Sequence, residues 1–250
     1  MRLARFQIEG REACGIVKGG EIQELGGNFF DPSLIRTETH RLADATLLAP
    51  CKPSKIVAVG LNYQDHAHEL GLPIPENPII FLKPPTSVIG PGGEIIVPAM
   101  TSRIDFEAEL GIVIRNTTHC ISPEDAADHI LGYTCANDVT ARDLQKRDSQ
   151  WTRSKSFDTF CPLGPWIETD LDPGNLLVES YLNGTCMQSS RTSRFIFPLG
   201  YVVSFISHIM TLHPGDLIIT GTPAGVGPMH HGDKIEVRIE GIGSLLNSVQ

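Results

Sequence analysis

Residues 104–114 read IDFEAELGIVI. Ile104, Phe106, Ala108, Leu110, Ile112 and Ile114 fall on alternate positions, the two-residue period of a β-strand with one apolar face. Asp105, Glu107 and Glu109 share the opposite face. Outward from this run, strands are predicted for KIVAVGLNY ending near Gly60, PIIFLKP, EIIVP, residues 131–139 and 162–169, Asn175–Leu182, DLIITG and KIEVRIEG. Gly19-Gly20 and Asn183-Gly184 read as hairpin turns. Helices are predicted for Asn62–Gly71, for Pro123–Ile130 with Ser122 as its cap, and for Leu199–Leu212. Many short strands and few short helices predict a β-rich α+β fold. A doubly wound sheet would need longer helices between its strands.

The chain has 250 residues, Lys+Arg 20 against Asp+Glu 29 and a net charge of -9. That length buries a sizeable core, and ordinary apolar content argues against disorder. The acidic balance argues against a general nucleic-acid surface but leaves room for a local basic pocket. The six cysteines form no closely spaced pair of the metal or redox kind. The N-terminus, MRLARFQIEG, lacks a signal peptide's apolar core, and no run is long enough to span a membrane. The expectation is a reduced, soluble, cytoplasmic protein. Residues 1–50 read as a small β-rich N-terminal portion, turn-rich over 27–50, and 51–250 as the main domain. The first 50 residues read equally well as part of one continuous fold.

Three carboxylates on one strand face repel one another, most strongly where water is excluded. A divalent cation would relieve this, and a solvated outer face would equally accommodate it. Asp138, just after a predicted strand, is the best candidate for a further oxygen ligand, with a turn role as the alternative. Carboxylate oxygens suit Mg²⁺, Mn²⁺ or Ca²⁺ and argue against structural zinc. Glu107, Glu109 and Asp138 would leave coordination positions for a 2-oxo carboxylate.

His66 and Glu69 are three apart on a predicted helix, where a carboxylate can orient an imidazole as a base or form a surface ion pair. His68 points away. Lys83 ends a strand before two prolines and faces either a pocket or solvent. The polar run from Thr140 to Asp158 holds five basic residues within 142–155. Of these, Arg142, Arg147 and Lys155 could bind a substrate carboxylate, or the run could be a solvated loop or an RNA contact. Its few aromatics weaken the RNA reading. GTPAGVG at 221–227 could offer the Thr222 hydroxyl and backbone N–H groups to a substrate, yet matches neither a phosphate loop nor a dinucleotide fingerprint. Cys161 reads as packing rather than as a nucleophile.

Taken together, GLNYQDHAHE at 60–69, FLKPPTS at 81–87, DFEAELGIVI at 105–114, NDVTARDLQ at 137–145, KSFDTFCPLGPWI at 155–167 and GDLIITGTPAGVG at 215–227 closely resemble the fumarylacetoacetate hydrolase family, specifically its small members. The resemblance covers roughly residues 50 to 245 and implies a mixed β-roll-like fold of the fumarylacetoacetase C-terminal domain type. It implies Mg²⁺ or Mn²⁺ at Glu107, Glu109 and Asp138, with Ca²⁺ as an alternative. It makes His66, Glu69 and Lys155 catalytic, and assigns Lys83, Arg142, Gln145 and Thr222 to the substrate. It implies a homodimer. Members hydrolyse C–C bonds of 2,4-dioxo acids through a metal-stabilised pyruvate enolate, decarboxylate oxaloacetate, or isomerise or tautomerise 2-oxo diacids. The expectation is a catabolic C–C hydrolase of an acylpyruvate-like 2,4-dioxo carboxylate. An isomerase or decarboxylase, oxaloacetate tautomerase included, is the alternative, and a non-catalytic metal- or RNA-binding protein the remote one.

Overall fold

A computed structural model of the chain describes residues 1–30, 35–71 and 73–250, without the side chains at 35–37 and 70. The 104–114 run folds as two strands, Ile104–Phe106 and Ala108–Ile114, with Glu107 at the break. The halves separate because they pair with different partners. Ile104–Phe106 joins Thr140–Ala141 and Gly227–Met229 in a three-stranded sheet. Ala108–Ile114 lies between Ile130–Asn137 and Leu217–Ile219, antiparallel to both, inside a twelve-stranded sheet. At the break, the Glu107 N–H donates to the Asn137 side-chain oxygen (3.0 Å).

Beyond Leu217–Ile219 come Ile56–Gly60, parallel to it, and Ile79–Lys83, antiparallel to that. On the other side, Ile130–Asn137 pairs with Cys161–Glu168, which pairs with Arg2–Ile8. The sheet then continues in order through Arg11–Lys18, Glu21–Leu25 and Ile35–Arg41. Lys18 opposes Glu21 across the Gly19-Gly20 turn. Residues 31–34 of the turn-rich 27–50 stretch lie outside the described residues. A five-stranded sheet runs Thr185–Arg191, Leu177–Leu182, Lys234–Ile239, Gly243–Val249, Glu94–Ile95. The fold is sheet-rich α+β.

The Ala108–Ile114 strand is buried on both faces. Leu110, Ile112 and Ile114 pack with Val178, Val237 and Leu245 and with Val202, Val203 and Ile206 of the helix Leu199–Ile209. Val113 packs on the opposite side with Ala58, Leu163 and Ile219. Truncating Leu110 to alanine would cost about 2–5 kcal/mol. An outer solvated face is therefore excluded for this strand.

Several elements differ from the sequence reading. The 123–130 segment is a 3₁₀ helix, Asp125–His129, because a strand begins at Ile130; the Ser122 hydroxyl accepts from the Asp125 N–H (3.4 Å). The last helix stops at Ile209 because Leu212 pairs through its backbone with Thr118. The polar run holds two short helices, Arg142–Arg147 and Thr152–Lys155. The strand Gly243–Val249 was hidden by an inward asparagine: Asn247 is buried and donates to the Gly90 and Gly93 carbonyls (3.0 and 2.9 Å). No helix among the described residues is long and apolar enough to cross a membrane.

Candidate active site

The break at Glu107 sits where the large and three-stranded sheets part, and a cavity of about 570 Å³ opens there. Its lining includes His66, Arg103, Asp105, Glu107, Glu109, Asp138, Arg142, Gln145, Lys155 and Thr222. Strand alternation aims Glu107 and Glu109 at it while Leu110 and Ile112 enter the core. Asp138 follows the neighbouring strand, held by its N–H on the Glu107 carbonyl (2.9 Å). The three carboxylates are all buried, with ligand oxygens within 4.8 Å of one another.

Cations of the chain surround them unevenly. The Lys155 ammonium bridges Glu107 (2.8 Å) and Asp138 (2.5 Å). Lys83 reaches Asp138 (2.5 Å). Arg142 reaches Glu107 (2.6 Å) and Asp105 (2.9 Å). Glu109 receives only the Gly221 N–H (2.7 Å) and has no cation in ion-pair reach among the described residues. Burial raises the Glu107 carboxyl, but Lys155 and Arg142 outweigh it and bring it down to about 2. Burial, then the charges of Asp138 and Glu107, push Glu109 well above the usual carboxylate range. Burial lowers Lys155, but Asp138 and Glu107 more than restore it, so it stays protonated. A buried carboxylate with no cation in ion-pair reach among the described residues, beside two others, is a donor set that a hard divalent cation fits.

Gly221 is required at that contact. Its φ of +97° suits glycine, and a Cβ there would lie 2.7 Å from the Asn62 side chain. Thr222, next in the chain, donates its hydroxyl hydrogen to the Ala108 carbonyl (3.0 Å) and accepts from the buried Gln188 amide (2.7 Å). The expected donation of that hydroxyl to a substrate is thus replaced by an internal bond, and the hydroxyl is left as an acceptor.

The helix Gln64–Leu70, which brings His66 to the cavity, ends at Gly71 in the left-handed conformation. His66 Nδ1 bonds Glu69 Oε2 (2.9 Å), and the other Glu69 oxygen accepts from the Gly225 N–H (3.0 Å). Asp65 accepts from the Ser190 hydroxyl (2.9 Å), tying the same helix to the strand Thr185–Arg191. These bonds leave His66 Nε2 for the cavity. Phe81 and Trp151 meet edge-on at 5.3 Å and, with Val59, Leu61, Ile79 and Val226, give the cavity an apolar wall.

The structure thus brings His66, Glu107, Glu109, Asp138, Arg142, Gln145, Lys155 and Thr222 to one cavity, with Glu69 behind His66. Lys83 does not line it: fully buried, its ammonium sits behind Asp138, neither over a pocket nor in solvent. Asp105 lines the cavity but is held by Arg103 and Arg142, outside the three-carboxylate group. Arg147 faces outward onto Asp143 (2.8 Å), so it leaves the proposed anion-binding set. Sequence reading missed Gln188, which gives no signal in TCMQSSR, and Arg103, whose role depends on the strand break.

Residues 55–250 match the family model described as fumarylacetoacetate (FAA) hydrolase, C-terminal. Residues 1–50 match one described as Rv2993c-like, N-terminal. A crystal structure of 2-hydroxyhepta-2,4-diene-1,7-dioate isomerase from Mycobacterium marinum is similar at a TM-score of 0.93 and 46% identity, over 100% of this chain and 98% of that one. The mitochondrial oxaloacetate tautomerase FAHD2A of Bos taurus is 41% identical over 289 residues, covering 100% of this chain and 91% of its own. The 2,4-didehydro-3-deoxy-L-rhamnonate hydrolase of Sphingomonas sp. (strain SKA58) is 39% identical over 273 residues, covering 100% and 96%.

Proposed function

The chain belongs to the fumarylacetoacetate hydrolase family and is an enzyme, and on that premise we propose that it hydrolyses a C–C bond of a 2,4-dioxo carboxylate with the help of Mg²⁺ or Mn²⁺. The observation that carries this reading is the His66–Glu69 pair, 2.9 Å apart, whose imidazole lines the same cavity as the three carboxylates. A divalent cation held by Glu107, Glu109 and Asp138 supplies Lewis-acid charge for the 2-oxo carboxylate end of the substrate.

His66, oriented by Glu69, takes a proton from water as the oxygen adds to carbon 4. The bond between carbons 3 and 4 then breaks, its electron pair passing to carbon 3 as the pyruvate enolate. The protonated His66 returns its proton to carbon 3, so one water is consumed and a carboxylic acid and pyruvate leave. Arg142 and Lys155 keep positive charge beside the developing enolate, and the Phe81–Trp151 wall excludes competing water.

The isomerase and tautomerase relatives favour a second reading, in which His66 only moves a proton between carbon 3 and an oxygen. A panel of 2-oxo and 2,4-dioxo acids, followed by NMR with each product identified, separates the two. Pyruvate plus a second carboxylic acid supports hydrolysis. Proton exchange or double-bond migration without cleavage, across the whole panel, refutes it.

A further inference from the structure

The donors around the cavity are unequally free. The Arg103 guanidinium lies bidentate on Asp105 (2.7 and 3.0 Å). Arg142 is spent on Asp105, Glu107 and the Gln145 oxygen (2.6 Å). Lys155 bridges two carboxylates. Lys146 also lines the cavity, is exposed, and has no carboxylate in ion-pair reach among the described residues. It is the one lysine or arginine of the described lining in that state.

Its placement follows from the helix Arg142–Arg147. Positions 142, 145 and 146 share one face, which meets the cavity, while Asp143 and Arg147 pair on the outside. Because the Gln145 oxygen accepts from Arg142, its amide hydrogens point away from Arg142, where they have no partner among the described residues. Lys146 stands about one turn beyond Arg142, a rise of ~6 Å. Arg142 touches Glu107, and Lys146, on the same helix face, lines the same cavity as the three carboxylates.

We propose that Lys146, assisted by the Gln145 amide, is a specificity-determining residue that binds a second carboxylate at the far end of the substrate. The substrate class is then a 2-oxo or 2,4-dioxo acid carrying a distal carboxylate, with the apolar wall beside its middle. This deepens the reading above and rests on it for the turnover assay.

The test compares 2,4-dioxoheptanedioate with 2,4-dioxopentanoate, whose tail is a neutral methyl, in wild-type protein, K146M and the outward-facing control R147M. Binding of 2-oxohexanedioate and 2-oxobutanoate is measured in parallel by calorimetry, with Mg²⁺ present. Wild type should favour the diacid in both assays. K146M should lower the diacid-to-neutral ratio of kcat/KM about tenfold, mainly through KM, and R147M should keep the wild-type ratio. Equal preference in wild type, or an unchanged ratio in K146M, overturns the role of Lys146. Selective diacid binding lost in K146M, with no cleavage of either compound, keeps the inference and refutes the hydrolase reading. Failure of every 2-oxo acid to bind overturns both.

Discussion

Two groups of acidic side chains border cavities in this fold, and they are built differently. One is Glu107, Glu109 and Asp138; the other is Glu24 and Glu38 with His40, on the strands that extend the large sheet through the first forty residues. Glu24 is buried, but Arg11 grips both its oxygens (2.9 and 2.7 Å) and reaches Glu38 (3.3 Å), while His40 bonds Glu24 (2.9 Å). The cavity beside it, about 510 Å³, is lined by that ion pair and by Arg5 with Glu12. In the first group Glu109 has only one backbone N–H among the described residues. Clustering of acids is thus common to both, and what separates them is a buried carboxylate with no cation in ion-pair reach among the described residues, lining the same cavity as the His66 imidazole. Glu24 is held by Arg11 and His40, whereas Glu109 has no cation in ion-pair reach among the described residues, and that difference supports the proposed divalent cation at the first group.

The comparison breaks most visibly in activity. Glu109→Gln should lower kcat/KM about a thousandfold or more, while Glu38→Gln stays within about twofold, both read by initial rates with saturating Mg²⁺. A large loss in Glu38→Gln would erase the distinction. His66→Ala should cost about a hundred- to ten-thousandfold in kcat with folding unaltered by circular dichroism.

Another buried carboxylate sharpens the structural side. Asp216 accepts from the Ser54 N–H (2.9 Å), the Ser54 hydroxyl (2.7 Å), the His213 N–H (2.8 Å) and the Lys55 ammonium (2.5 Å). Burial raises its carboxyl, but the bonds from Lys55, Ser54 and His213 hold it below the usual aspartate range. Its folded value therefore lies under the unfolded one of ~3.9. The stability it contributes is present above that unfolded value and is lost as pH falls through the lower folded one. Asp216→Ala should cost about 3 kcal/mol in denaturant unfolding at pH 7, and a smaller penalty below pH 3. An equal penalty at both pH values would contradict the charge-based account.

The smallest effect is thermal. Mg²⁺ at a hundred times its Kd should stabilise wild type by about 2.7 kcal/mol, seen as a rise in Tm of roughly 5–10 °C. Glu109→Gln should lose that rise, and Asp216→Ala and Glu38→Gln should keep it. A rise retained in Glu109→Gln would move the cation elsewhere.

The alternation through Ile104–Ile114 was enough to place the core strand, and Gly19-Gly20 and Asn183-Gly184 were enough to place two hairpins, because period and turn chemistry are local properties. The His66–Glu69 pair was legible for the same reason: three residues on one helix already share a face. What was not legible depends on long-range pairing. Nothing local in DFEAEL says that the strand breaks at Glu107 or that Arg103 and Arg142 will take Asp105 out of the group. Lys83 looked like a strand end with a free ammonium, and the contact with Asp138 arises between strands that are not neighbours in the sheet, which no local pattern shows. The polar run at 140–158 concealed two short helices, and with them the shared face of Arg142, Gln145 and Lys146, because helices of six and four residues carry too few turns for a periodic signal.

The central claim is that the group at the strand break works through a divalent cation and the base across from it. The most direct test incubates a 2,4-dioxo acid with chelator-treated protein, then with Mg²⁺ restored, for wild type and Glu107→Ala, and quantifies pyruvate. The account predicts equimolar pyruvate and carboxylic acid from wild type only after Mg²⁺ returns, and almost none from Glu107→Ala. Pyruvate release from the chelated protein, or at the wild-type rate from Glu107→Ala, would contradict it.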